Sequence, residues 1–163
     1  MAYGNVYVAK VAVGASDMQT VKALLEAEAY PGPSLVIAYS TCIAHGIDMS
    51  TSMSHQAEAV KSGFWPLWRY DPRLAVPGQR PMQLDSRAPS LPLKEFQKKE
   101  ARFAMLARSD PEGYEELQVL AQEDAEERRR LYEQLAGVER HAPGRAEEGG
   151  EERAPAETEG EER

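Results

Sequence analysis

The sequence predicts an α/β fold: a parallel sheet at the N-terminal end, helices after it, and a disordered acidic tail. Three observations carry that expectation. Two apolar runs rich in β-branched residues, residues 6–13 and 34–40, flank a stretch of helical periodicity. Residues 93–107 and 111–136 also read as helices, with Pro111 in a first turn and Gly137 at an end. Residues 142–163 hold eight glutamates, three arginines and no aliphatic side chain larger than alanine. Such a segment cannot bury enough apolar surface to offset the entropy of ordering it.

The first strand, residues 6–13, is apolar on both parities, as suits a strand covered on both faces. Gly14 ends it, and Ser16 or Asp17 can cap a helix to Ala29 with Val21, Leu24 and Leu25 on one face. Pro31-Gly32-Pro33 stops that helix, and residues 34–40 form a second apolar strand. Together they make a βαβ unit with a right-handed crossover. Two strands of central type cannot form a stable open sheet, and no later run of that kind follows. The chain therefore reads as the C-terminal piece of something larger, or as one half of an obligate assembly.

A short helix is expected over residues 54–62, with Ala57, Val60 and Lys61 at helical spacing and Gly63 at its end. The aromatic cluster Phe64, Trp65, Trp68 and Tyr70 follows, with Pro66 keeping its first part out of a central strand. Five prolines from Pro66 to Pro89 predict an extended loop, with a short edge strand at residues 82–85. The helix over residues 93–107 would place Phe96, Phe103 and Leu106 on one face. The one over 111–136 would bury Tyr114, Leu117, Ala121, Leu131 and Leu135, and its polar stretch 123–130 would face solvent.

The 163 residues amount to about one domain and carry a net charge of −8. That balance argues against a basic footprint for nucleic acid or an anionic membrane. Hydrophobic residues make up 42% and the mean hydropathy is −0.57, with no apolar run near a membrane span. The N-terminus lacks the basic-then-apolar order of a secretory signal. One cysteine, Cys42, excludes an internal disulfide and any all-cysteine metal site built by this chain alone. The expected setting is reducing and cytoplasmic, with no nucleic acid and no membrane as partner.

Cys42 stands just past the end of an apolar strand, where open α/β sheets bind ligands. It reads as a thiolate ligand or nucleophile, or as a small buried hydrophobe. His45 could serve it as a base or simply be exposed. Asp17, Asp48, Asp71 and Asp85 have no metal-site spacing; Asp71 and Asp85 suggest loop-fixing ion pairs with Arg73 and Arg87. The aromatic cluster could stack a ligand or form core beneath the proline-rich loop. No phosphate loop, GxSxG, HExxH or zinc spacing occurs.

Several ordered blocks are more specific than these single residues. They include Tyr3-Gly4-Asn5-Val6-Tyr7-Val8-Ala9, Tyr30-Pro31-Gly32-Pro33-Ser34-Leu35-Val36-Ile37-Ala38-Tyr39 and Cys42-Ile43-x-His45-Gly46. Further along come Arg69-Tyr70-Asp71-Pro72-Arg73-Leu74, Gln83-Leu84-Asp85-Ser86 and Arg102-Phe103-x-x-Leu106. Over residues 2–110 the chain resembles the thiamine-diphosphate domain of pyruvate:ferredoxin (flavodoxin) oxidoreductase. The resemblance implies the C-terminal portion of a parallel-sheet thiamine-diphosphate-binding domain over residues 1–91; C-terminal helices follow over 92–137, and the disordered acidic tail over 138–163 has no counterpart in the family's pattern.

That family converts pyruvate and coenzyme A to acetyl-CoA and carbon dioxide, with thiamine diphosphate, magnesium and 4Fe-4S clusters, and passes electrons to ferredoxin or flavodoxin. Cys42 falls on the position of its fourth thiamine-proximal cluster ligand, with His45 and Gly46 shaping the loop around it. The family's GDG…N magnesium and diphosphate motif and its other three cluster cysteines are absent here. Ser16 stands where the family often has asparagine. The resemblance thus implies no catalytic residue on this chain, no cofactor held by it alone, and the remainder of the oxidoreductase as partner if separately encoded. The alternative is a non-catalytic remnant or interaction protein retaining part of the fold.

Overall fold

The computed structural model describes residues 3–140. The predicted βαβ unit is present: β1 (Tyr7–Val11), α1 (Asp17–Ala29) and β2 (Ser34–Ala38), with β1 and β2 parallel and Tyr7 opposite Ser34. The Ser16 side chain caps α1 by accepting from the Gln19 N–H at 3.1 Å. Then come α2 (Ser52–Lys61), β3 (Trp68–Tyr70), β4 (Met82–Leu84), α3 (Leu93–Gln97), α4 (Ala101–Ser109) and α5 (Pro111–Gly137).

The sheet is mixed, not parallel. Its order is β2-β1-β3-β4, and β3 runs antiparallel to both β1 and β4. The strands missing from the two-strand reading come from the proline-rich loop, where Trp68–Tyr70 is too short to register as an apolar run. Pro66 precedes β3, and β4 is the edge strand expected near residue 82.

The sheet has two covered faces. Tyr7, Ala9 and Val11 pack against Ala23 and Ala27 of α1. On the opposite face Val8, Trp68, Tyr70 and Met82 receive Tyr132, Leu135 and Ala136 of α5. A third cluster joins Ala59, Leu93, Phe96 and Ala125 across α2, α3 and α5. Arg69 of β3 ties strand to helix: its guanidinium donates to Glu26 on α1 at 2.6 and 2.7 Å, to Asp85 at 2.8 and 2.9 Å, and to Gln83 at 2.8 Å.

Several expected faces differ. β2 is an exposed edge rather than a strand covered on both sides. Val21, Leu24 and Leu25 of α1 are solvent-exposed, because the close helix–sheet contact is made by the small residues Ala23 and Ala27. In α2 the buried residues are His55, Gln56 and Ala59. The helix predicted over 93–107 breaks between α3 and α4, where the Glu100 side chain turns inward. On α5 Leu117 and Leu131 are exposed, while Gln118 and Ala125 are buried; Ala125 lies within the stretch expected to face solvent. Asp71 pairs with Arg73 at 2.7 Å as expected, but Asp85 pairs with Arg69 and not Arg87. From residue 141 on, the acidic tail lies outside the described residues.

Candidate functional site

Both parallel strands end beside α2. The Gly14 N–H donates to the Gln56 side-chain oxygen at 3.0 Å, and a Cβ on Gly14 would strike the backbone of Met53. Glycine is therefore what allows α2 to approach β1 this closely. Three residues past β2, the segment from Thr41 is pinned from both directions. The buried Thr41 hydroxyl shares a 2.7 Å hydrogen bond with Ser52, and the Cys42 carbonyl accepts from the His45 N–H at 3.0 Å. Gly46, at φ 69°, closes that turn with an N–H donated to Ile43.

This anchoring leaves the Cys42 side chain exposed as a free thiol, so the reading of a small buried hydrophobe is excluded. His45 is held to Cys42 through the backbone alone, with no side-chain hydrogen bond joining them. The pair therefore forms no nucleophile–base couple in this conformation. Among the described residues no group of three or more His, Cys, Asp or Glu side chains could hold a metal ion. A 4Fe-4S cluster needs four thiolates. Cys42 offers one thiolate, so the described residues do not make a complete cluster site.

The aromatic cluster divides between two cores. Phe64 and Trp65 pack edge-on to Tyr39, and Phe64 also meets Phe96 at 5.0 Å; Trp68 lies on the sheet against Tyr132. The Trp65 indole N–H donates to the Val11 carbonyl at 3.0 Å, and the Lys10 ammonium lies 3.9 Å above its ring. These rings are structural. Burial, and then the charge of Arg128, pull the Lys10 pKa down to about 8.

A feature that sequence reasoning missed is the buried pair of His55 and Glu100, 3.0 Å apart and both almost wholly screened from solvent. The His55 ring stacks on Phe96 at 4.7 Å, and Arg102 donates to the second Glu100 oxygen at 2.5 Å. His55 reaches one wall of a cleft of about 340 Å³, also lined by Asp48, Glu58 and Lys99. Glu100 follows two lysines and reads as part of a solvated charge run. No local periodicity reveals its partner, 45 residues away.

No protein-family model matches the chain. Full-length relatives do. A pyruvate-flavodoxin oxidoreductase of Trichormus variabilis is 56% identical over 139 residues, 85% of this chain and 12% of the relative. A pyruvate-flavodoxin oxidoreductase of Nostoc sp. is 52% identical over 136 residues, 83% of this chain and 11% of its own length. A pyruvate:ferredoxin oxidoreductase of Moorella thermoacetica is 48% identical over 136 residues, with 83% and 12% covered. These alignments are longer than the span of residues 2–110 that carries the motif resemblance. The chain belongs to the pyruvate-flavodoxin and pyruvate:ferredoxin oxidoreductase family, as a segment spanning about 11–12% of the length of these relatives.

Proposed function

We propose that this chain serves as the C-terminal part of the thiamine-diphosphate-binding domain in a pyruvate:ferredoxin or pyruvate:flavodoxin oxidoreductase, and that Cys42 supplies one thiolate to a 4Fe-4S cluster completed by other segments. The identity of 48–56% to such enzymes over more than four-fifths of the chain carries this reading. The exposed Cys42 thiol beyond the carboxyl end of β2 supports it, since ligands of α/β sheets bind at that end. In the complete enzyme the cluster would carry single electrons from pyruvate oxidation toward ferredoxin or flavodoxin, with coenzyme A as the acyl acceptor. Thiamine diphosphate and magnesium would be held by other segments, and the setting would be cytoplasmic.

This chain's residues have a positioning role in that scheme. The Thr41–Ser52 bond and the turn closed at Gly46 hold the Cys42 backbone, so the thiolate projects without a flexible approach. The test grafts residues 3–140 into the Trichormus variabilis enzyme in place of its matching segment. Cys42→Ser in that chimera is expected to lower the iron content by one cluster per chain and to remove the corresponding electron paramagnetic resonance signal, with the far-ultraviolet circular dichroism retained. Unchanged iron and an unchanged signal would refute the ligand assignment.

A further inference from the structure

We propose that Lys10, Arg128 and Trp68 form an oxyanion-binding site between the sheet and α5. The site involves neither Cys42 nor iron. Lys10 on β1 and Trp68 on β3 are opposite one another in the antiparallel register, so their side chains leave the same face of the sheet. That face is the one α5 covers. Arg128 and Tyr132 are four residues apart on α5 and share one side of the helix. The Tyr132 ring lies 6.0 Å from the Trp68 ring and 6.0 Å from the Lys10 ammonium, which joins the two pairs into one cluster.

Among the described residues, each N–H donor of this cluster is left over. The Trp68 indole N–H makes no hydrogen bond, although the residue is only 6% exposed. The Arg128 Nε is buried and unpartnered as well; Asp124 approaches that guanidinium at Nη1, and no closer than 3.4 Å. The Lys10 ammonium meets aromatic faces, Trp65 at 3.9 Å and Tyr132 at 6.0 Å, and no hydrogen-bond acceptor. Burial and then the like charge of Arg128 pull its pKa down to about 8, the opposite of what a bound acid would do.

The contrast with Arg69 is direct: on the other face of the sheet, Glu26 and Asp85 meet that guanidinium. Buried donors without acceptors are costly, and two cations beside an indole N–H are complementary to a small oxyanion. Arg128 keeps a third of its side chain exposed and Lys10 is half-buried, so the cluster opens to solvent at that end. The missing acceptor is a free oxyanion of the phosphate type or a carboxylate from another segment of the enzyme.

The test follows the Trp68 indole proton and the Lys10 side chain of the full chain by nuclear magnetic resonance. Inorganic phosphate is titrated against chloride at equal ionic strength. Phosphate is expected to shift the indole resonance saturably and to raise the Lys10 pKa from about 8 toward its usual 10.5, and chloride to do neither. Arg128→Gln should weaken phosphate binding at least tenfold with the far-ultraviolet circular dichroism retained. Arg130→Gln, more exposed on α5 and paired with Glu127, should leave binding unchanged.

Phosphate that moves neither signal beyond chloride, with Lys10 still near 8 in the chimera, would overturn the site. The same silence in the free chain, with Lys10 near 10.5 in a phosphate-free chimera, would assign the acceptor to a carboxylate of another segment. Equal weakening by Arg128→Gln and Arg130→Gln would reduce the effect to net charge and overturn the site. A Lys10 that titrates near 10.5 in the free chain without added anion would refute the orphaned cluster on which the proposal depends.

Discussion

Replacing Arg69 by methionine removes a cation that joins α1 and β3 to β4 and the residue after it. The Arg69 side chain is 7% exposed, and its partners Glu26 and Asp85 are 24% and 16% exposed. Removing it strands two carboxylates that make four charge-assisted contacts with its guanidinium. Breaking a buried pair from one side costs about 3–5 kcal/mol, and the partial exposure of both acids places this case near 3 kcal/mol. With a urea slope of about 1.5–2 kcal/mol per molar, the midpoint should fall by about 1.5–2 M. Urea titration followed by circular dichroism measures this directly. Adding Glu26→Gln and Asp85→Asn should recover most of the loss, because no uncompensated charge then remains. A fall worth less than about 1 kcal/mol, the range of screened surface pairs, would show that water reaches the cluster and that it does not pin the helix to the sheet.

Lys10 and Tyr39 give stability a dome-shaped alkaline profile. Between about pH 8 and the usual lysine value of 10.5 the unfolded chain keeps a Lys10 proton that the folded chain has lost, so stability rises with pH. Burial and then Glu100 push the Tyr39 pKa up to about 12; above its usual 10.0 the unfolded chain loses that proton first, so stability falls again. Urea midpoints from about pH 7.5 to 11 should trace the dome, and Lys10→Met should flatten its rising side; an unchanged rise in the variant would remove Lys10 as its cause. Gly46→Ala should cost about 1–3 kcal/mol in the same assay, since a Cβ at φ 69° would also press on Ala101. Gly78→Ala, at φ 76° with open space around it, should cost less; equal losses would show that Ala101 yields freely.

The legible parts of the fold are those encoded by short-range chemistry. Ser16 caps α1, Pro31-Gly32-Pro33 separates α1 from β2, and Pro111 and Gly137 bound α5, each acting within a few residues of itself. Cys42 was legible as a position after a strand, and the ordered blocks around it pointed to the family to which the comparisons assign the chain. The Asp71–Arg73 pair was legible because both ends lie within one turn.

What the sequence determined by itself was the existence of the βαβ unit, the helical character of the later chain and the family. Which faces are covered was decided by tertiary structure. Val21 and Leu24 have the periodicity of a buried face, yet Ala23 makes the contact because only a small side chain lets α1 lie close on β1. β3 exists because its three residues find a ladder on β1, and Glu100 is buried because His55 and Arg102 receive it. Each outcome needs at least one partner distant along the chain, as Glu100 needs His55, whereas propensity and capping act through neighbours a few residues apart.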